Sequence, residues 1–199
     1  MAIGGLALLT MALLVWRART PPRWFRSDLV GDDSMESRSA SFEQALAAQF
    51  TKVRGDDRVW SIRIPEEDMN EWLASRLPKW LEFEKHGAAK EVGRVQVCCM
   101  DGHIEIASEC RWGIGCLDIS PRIAKGPDGT RVDLSSTTAA IGHLQVPAFL
   151  VSALRPTDLF DSLHESEFRL ADGRRVKVQD IEVLPGEIRL KLETAPAVH

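Results

Sequence analysis

Two stretches of this chain alternate apolar and polar residues with a period of two and are cut by turn dipeptides. No other feature limits the fold as strongly. The first, GRVQVCCMDGHIEIASECRW, reads as a hairpin turning at Asp101-Gly102, because both central positions of a type I′ turn take positive φ. A further strand runs from Cys116 to Ile123 and ends at Gly126-Pro127-Asp128-Gly129. Another, long and rich in Thr and Ser, runs from Thr130 to Leu144, with Gly142 marking a bulge. The second stretch turns at Asp172-Gly173 and at Pro185-Gly186. Its strands place Val176, Val178, Ile181 and Val183, then Ile188, Leu190 and Leu192, on one dry face. Strands joined by tight turns pair antiparallel.

Helical periodicity separates these units. Phe42, Leu46, Phe50 and Val53 are spaced for a helix over 42–53, with Ser41 as its N-cap. VWSIRI, residues 59–64, alternates Trp60, Ile62 and Ile64 against polar neighbours and reads as a strand. In the next segment, IPEEDMNEWLASRLPKWL, Pro65 suits a first helical position, and Glu66, Glu67 and Asp68 complement the positive end of the helix dipole. Met69, Trp72, Leu73 and Leu77 form one stripe. Pro78 breaks or kinks the helix, and Trp80, Leu81 and Phe83 continue the apolar surface. A further apolar helix starts at Pro147 and carries Phe149, Leu150 and Leu154. Runs of strands with segregated helices indicate an α+β fold: an antiparallel sheet packed on two or three amphipathic helices.

The amino-terminal segment has a different character. Ala2–Trp16, AIGGLALLTMALLVW, is uncharged and apolar. As a helix it rises about 22 Å, against a hydrocarbon core of about 30 Å. It is expected to be a membrane helix preceding the domain, an uncleaved single-pass anchor with Trp16, Arg17, Trp24 and Phe25 at the interface. A cleaved signal sequence is the alternative. The expected organisation is an anchor or signal-like helix over 1–18, a linker over 19–40 rich in Arg, Ser, Asp and Pro, an α+β domain over 41–194 and a tail over 195–199. The positive-inside rule would keep the domain with the arginines in the cytoplasm. A signal-like anchor sends it outward, and an extracytoplasmic domain is the placement expected.

The net charge of −4 splits into +4 on the first 26 residues and −8 on the rest. An acidic body argues against a nucleic-acid partner. Cys98, Cys99, Cys110 and Cys116 match no common zinc spacing, and neighbours on a strand point to opposite faces, so they read as small buried residues. Outside the cytoplasm they could also form a disulfide. No phosphate loop, GxSxG or HExxH occurs, and His86, His103, His143, His164 and His199 are scattered. Neither enzyme chemistry, nor a cofactor, nor a metal is expected.

The run I-P-E-E-D-M-N-E-W-L-A-S-R-L-P resembles the helix start of some bacterial membrane-anchored proteins of unknown function, which are similar to the tubular lipid-binding superfamily. I-G-H-L-Q-V-P-A-F-L-V-S-A-L resembles their strand-to-helix passage, and V-K-V-Q-D-I-E-V-L-P-G-E-I-R-L-K-L their closing hairpin. The likeness covers roughly 41–193 and departs where Pro78 interrupts the helix. It implies a strongly curved sheet wrapped around a helix with an apolar groove inside. Two functions are therefore expected in turn. The first is a membrane-anchored module binding a lipid or acyl chain in a groove lined by Trp72, Leu73, Leu77, Trp80, Leu81, Phe149, Leu150 and Leu154. The second is a structural or interaction module that meets an envelope protein and has a solid core.

Overall fold

The computed structural model describes residues 2–29, 31–52, 59–83, 93–110, 113–126, 129–146, 167–170 and 173–195. Its elements in chain order are helix α1 (Ala2–Arg19), helix α2 (Asp33–Thr51), strand β1 (Val59–Pro65), helices α3 (Glu66–Ser75) and α4 (Leu77–Phe83), and strands β2 (Val95–Cys99), β3 (Ile104–Cys110), β4 (Gly113–Gly126), β5 (Gly129–Ile141), β6 (Leu144–Val146), β7 (Glu167–Arg169), β8 (Arg175–Leu184) and β9 (Glu187–Ala195). The fold is α+β, and the described pairings are antiparallel.

Hydrogen bonding divides the strands into two sheets where one was expected. The meander β2-β3-β4-β5-β6 forms a five-stranded sheet, and β1-β9-β8-β7 forms a four-stranded one. Local turns explain the first. The second needs β1 to pair with β9 across the length of the chain, from Val59 opposite Glu193 to Pro65 opposite Glu187. The sheets meet at their hairpin tips. Gly102 N–H donates to Val183 O at 3.0 Å, and Gly186 N–H donates to Cys99 O at 3.1 Å. Both glycines have positive φ, +78° and +81°, as their tight turns require.

The four-stranded sheet carries the main apolar core. Ile62, Val176, Val178 and Leu192 are buried, and Leu46 and Phe50 of α2 pack on them with Trp60, Ile64, Ile181 and Leu190. Phe50 meets Trp60 edge-on, with centroids 5.7 Å apart. Val176 and Val178 differ in parity from Ile181 and Val183, yet all four serve one face. The register shift between Val178 and Asp180 skips Gln179 and restores the alternation. A second shift lies at Asp118/Ile119 in the β4–β5 pairing. Gly142, expected to mark a bulge, instead turns the chain between β5 and β6 with φ +56°.

Three expectations about the amino-terminal third are corrected. The helix expected at 42–53 begins at Asp33, because Asp32, with β-region backbone, accepts the Met35 N–H at 2.7 Å as the N-cap. Ser41 lies inside α2, its hydroxyl bonded to Ser37 O at 3.0 Å. The expected linker is a strap laid across the five-stranded sheet. His143 N–H, beside β6, holds Arg17 O at 2.9 Å. Trp24 Nε1 donates to Glu105 on β3 at 2.5 Å. Arg26 N–H and O both bond the Gln96 amide on β2, at 2.8 and 2.6 Å. Phe25 is buried against Ala107 and Ile114, with Trp24 beside it. Phe25 is therefore part of the body's core, with Trp24 half-buried beside it. The indole and phenyl rings cover the small side chain of Ala107, which a polar-looking strand face leaves room for.

The break near Pro78 comes two residues earlier than the proline. Pro78 has no N–H to give Ala74 O, so α3 stops at Ser75 and α4 restarts at Leu77. Pro65 ends β1 and stands just before α3 as its N-cap, with φ −64° and ψ 142°. The expected helix from Pro147, with Phe149, Leu150 and Leu154, lies outside the described residues.

Candidate functional site

Strand β2 is an edge strand of the five-stranded sheet, with β3 on one side. An open edge offers unpaired N–H and C=O groups, and a protein has to cover them. Helix α3 does so with side chains. Asn70 Oδ1 accepts from Val97 N–H at 2.8 Å, while its Nδ2 donates to Val97 O at 2.9 Å. Glu66, one turn earlier, accepts from Cys99 N–H at 2.6 Å. The spacing matches. Four residues of helix rise about 6 Å, close to the advance of two residues of strand, and alternate strand residues point to the same edge. Asn70 thus stands in for a neighbouring strand. Gln96 makes the same two-point contact with the strap through Arg26.

Between the strap, α2, α3 and β2 lies a cavity of about 460 Å³. Trp24, Leu29, Met35 and Val97 supply its apolar wall, and Glu66, Glu67, Asn70, Glu71, Arg26, Arg38 and Gln96 its polar wall. The size suits a small molecule, but such sites are mostly apolar and this one is not. Most of its polar groups already have partners: Arg38 and Glu71 pair with each other, and Glu66, Asn70 and Gln96 bond backbone groups. Glu71 is buried at 8% exposure, and the Arg38 guanidinium chelates its carboxylate at 2.7–2.9 Å. This pairing offsets the cost of taking the Glu71 charge out of water. Glu71 raises the Arg38 pKa further above its ordinary value. The carboxyl of Asp68, also on α3, is pushed above the usual aspartate range by burial, then by the nearby charges of Glu71 and Glu67. On the same helix face Ser75 Oγ donates to Glu71 O and accepts from the Ser39 hydroxyl, both at 2.8 Å. Small hydroxyl residues let α2 and α3 approach closely.

None of the five described residues expected to line an apolar groove borders this cavity. Trp72, Leu73, Leu77 and Leu81 are half-buried, and Trp80 is exposed. The Trp72 indole leans on α2 and donates to Glu43 at 2.6 Å. The face that α3 buries carries Glu71 and Ser75, and the apolar stripe lies beside it, towards the surface. At its far end Phe83 is 81% exposed. Among the residues that build the cavity, Asn70 and Gln96 carried a signal in the sequence. Asn is a poor choice inside a helix, and Gln interrupts an otherwise apolar VQVCC strand. Arg38 and Glu71 carried none, because their meeting depends on how α2 crosses α3.

The described apolar side chains of α1 lie outside. Leu9, Met11, Leu13, Val15 and Trp16 are all exposed, Trp16 by 65%. Among the described residues no helix is long and apolar enough to cross a membrane.

Cys98 and Cys99 are buried free thiols on opposite faces of β2. Burial first, then Glu66, pushes Cys98 up to about 11 and Cys99 up to about 12, so neither serves as a nucleophile near neutrality. Cys116 is a half-buried free thiol. A smaller cavity of about 220 Å³ lies under Pro22 against β4, β5 and His143. Among the described residues no group of three or more His, Cys, Asp or Glu side chains is placed to hold a metal ion.

Comparison with known proteins gives no match: no family model, no curated protein and no solved structure aligns with the chain.

Proposed function

We propose that the protein is a membrane-tethered, non-enzymatic module that holds a lipid or acyl chain along the apolar side of α3 and α4. The observation that carries the reading is where the apolar side chains stand. Leu9, Met11, Leu13, Val15 and Trp16 of α1 are exposed, and the row Leu73, Leu77, Trp80, Leu81 and Phe83 remains partly open while the polar face of α3 is buried. A helix apolar on all sides belongs in a core or a bilayer, and α1 is not in the core. An acyl chain laid on the α3–α4 row gains about 0.8 kcal/mol for each CH₂ it buries. The likeness to tubular lipid-binding proteins points the same way.

A structural or interaction module of an envelope assembly is the second reading. The polar cavity favours it, since its walls are engaged in holding the strap, α2, α3 and β2 together. One experiment separates the two. The full chain is extracted gently, analysed by native mass spectrometry, and titrated with a fluorescent fatty acid whose energy transfer from tryptophan is followed. A co-purifying lipid, and uptake weakened by Leu77→Asp, is expected. A lipid-free protein with no uptake, cross-linked in membranes to a neighbouring protein, supports the second reading and overturns the first.

A further inference from the structure

The carboxyl end of α1 is fastened to the body. A helix leaves its last carbonyls without partners of its own. Here Trp16 O accepts from the Thr20 hydroxyl at 2.8 Å, and Arg17 O accepts from His143 N–H at 2.9 Å. Gly142, next to His143, is buried, and its own N–H donates to Ile114 O at 2.6 Å, tying the same turn to β4. A Cβ at Gly142 would fall 2.3 Å from Arg17 O and 2.5 Å from Ala18 O. Only a glycine permits this approach, and the positive φ strains any other residue as well. Around the junction Arg17, Arg19 and Arg23 are exposed and no acid precedes Asp28; the acids beside the turn, Glu105 and Asp118, are half-buried, and Glu105 is engaged by the Trp24 indole. Residues 27–199 carry −8.

We infer that the β5–β6 turn is a clamp that holds α1 in one orientation, and that the surface around it docks on the anionic headgroups of a bilayer into which α1 inserts. The inference rests on the tethering reading and adds the partner and the geometry. A negative leaflet attracts arginines and repels an acidic body, so only one orientation of the molecule satisfies both. A loose leash would leave that orientation to chance. The clamp sets it, with the basic collar toward the lipid and the acidic body away.

The test uses the full chain with vesicles of phosphatidylcholine alone and of phosphatidylcholine mixed equally with phosphatidylglycerol. Binding is read by flotation, and the β5–β6 turn by hydrogen exchange. The wild type should float with both and bind the mixed vesicles roughly a hundredfold more tightly, the summed effect of three arginines. The variant Arg17→Gln, Arg19→Gln, Arg23→Gln should still float and lose that preference. Gly142→Val should still float, with residues 141–144 exchanging fast on the vesicle where the wild type is protected. Equal binding to both vesicles, or a Gly142→Val turn protected like the wild type, overturns the inference and leaves the tether standing. A wild type that floats with neither overturns the tether itself. If Gly142→Val does not fold, the arginine variant, altered only at exposed positions, decides alone.

Discussion

Replacing Asn70 by alanine probes the contact that seats α3 on the sheet. The amide makes both of its bonds to one residue, Val97, at 2.8 and 2.9 Å, and Val97 is only 9% exposed. Truncation leaves a backbone N–H and a backbone C=O without their partner. Each costs about 1–3 kcal/mol when stranded. Water from the adjoining cavity can reach them, which places the pair near the lower end, about 2–3 kcal/mol. Alanine recovers about 0.5 kcal/mol in helix propensity over asparagine. The net expectation is a loss of about 2 kcal/mol, a large part of the 5–15 kcal/mol typical of a folded protein. Urea denaturation should show a lower midpoint with an unchanged slope, and thermal melting a fall of about 4–8 °C. The Val97 amide should exchange faster. Asn70→Asp is the internal control. It keeps the acceptor, loses the donor and adds a charge beside Glu66, Glu67 and Glu71, so it should be worse than alanine at pH 7 and recover as acid protonates it. A loss below about 0.5 kcal/mol for Asn70→Ala, with Val97 exchange unaltered, would refute the strand-mimic account.

Cys98 and Cys99, with pKa values pushed up to about 11 and about 12, hold thiolate fractions of about 10⁻³ and 10⁻⁴ at pH 8. Alkylation by iodoacetamide should leave both untouched in the native chain and modify both in urea, and rapid native labelling at either would contradict their burial. Asp68 has its carboxyl raised by burial and by Glu71 and Glu67, so the folded state binds its proton more tightly than the unfolded state does. Stability is therefore lost as pH rises past the ordinary value of 3.8 and through the raised one. Asp68→Asn should be more stable than wild type at pH 7, the difference closing towards pH 3, and a neutral or destabilised variant at pH 7 would speak against that sign.

How much of this was legible in the chain depends on how far each cause reaches. The hairpin at Asp101-Gly102, the closing β8–β9 hairpin and the acid-led start of α3 rest on neighbours within a few residues, and the structure has them where the sequence places them. The strap is hidden in the sequence because composition records only that residues 19–40 are polar. It does not record that Trp24, Phe25 and Leu29 find Glu105, Ala107 and a cavity to fill. The apolar spacing of Trp72, Leu73 and Leu77 is legible in the sequence, but the structure divides it between α3 and α4. The side that α3 buries is not legible, because it is chosen by the edge of β2 and by Ser39 on α2.

The amino-acid order alone determined the antiparallel hairpins, the apolar character of α1 and the separation of a basic collar from an acidic body, since each is a matter of local geometry or of counting charge. Tertiary structure alone decided that β1 closes on β9, that the strands split into two sheets, and that an asparagine completes the edge of one of them. Those pairings join residues far apart in the chain, and their energy exists only once folding has brought a donor to its acceptor.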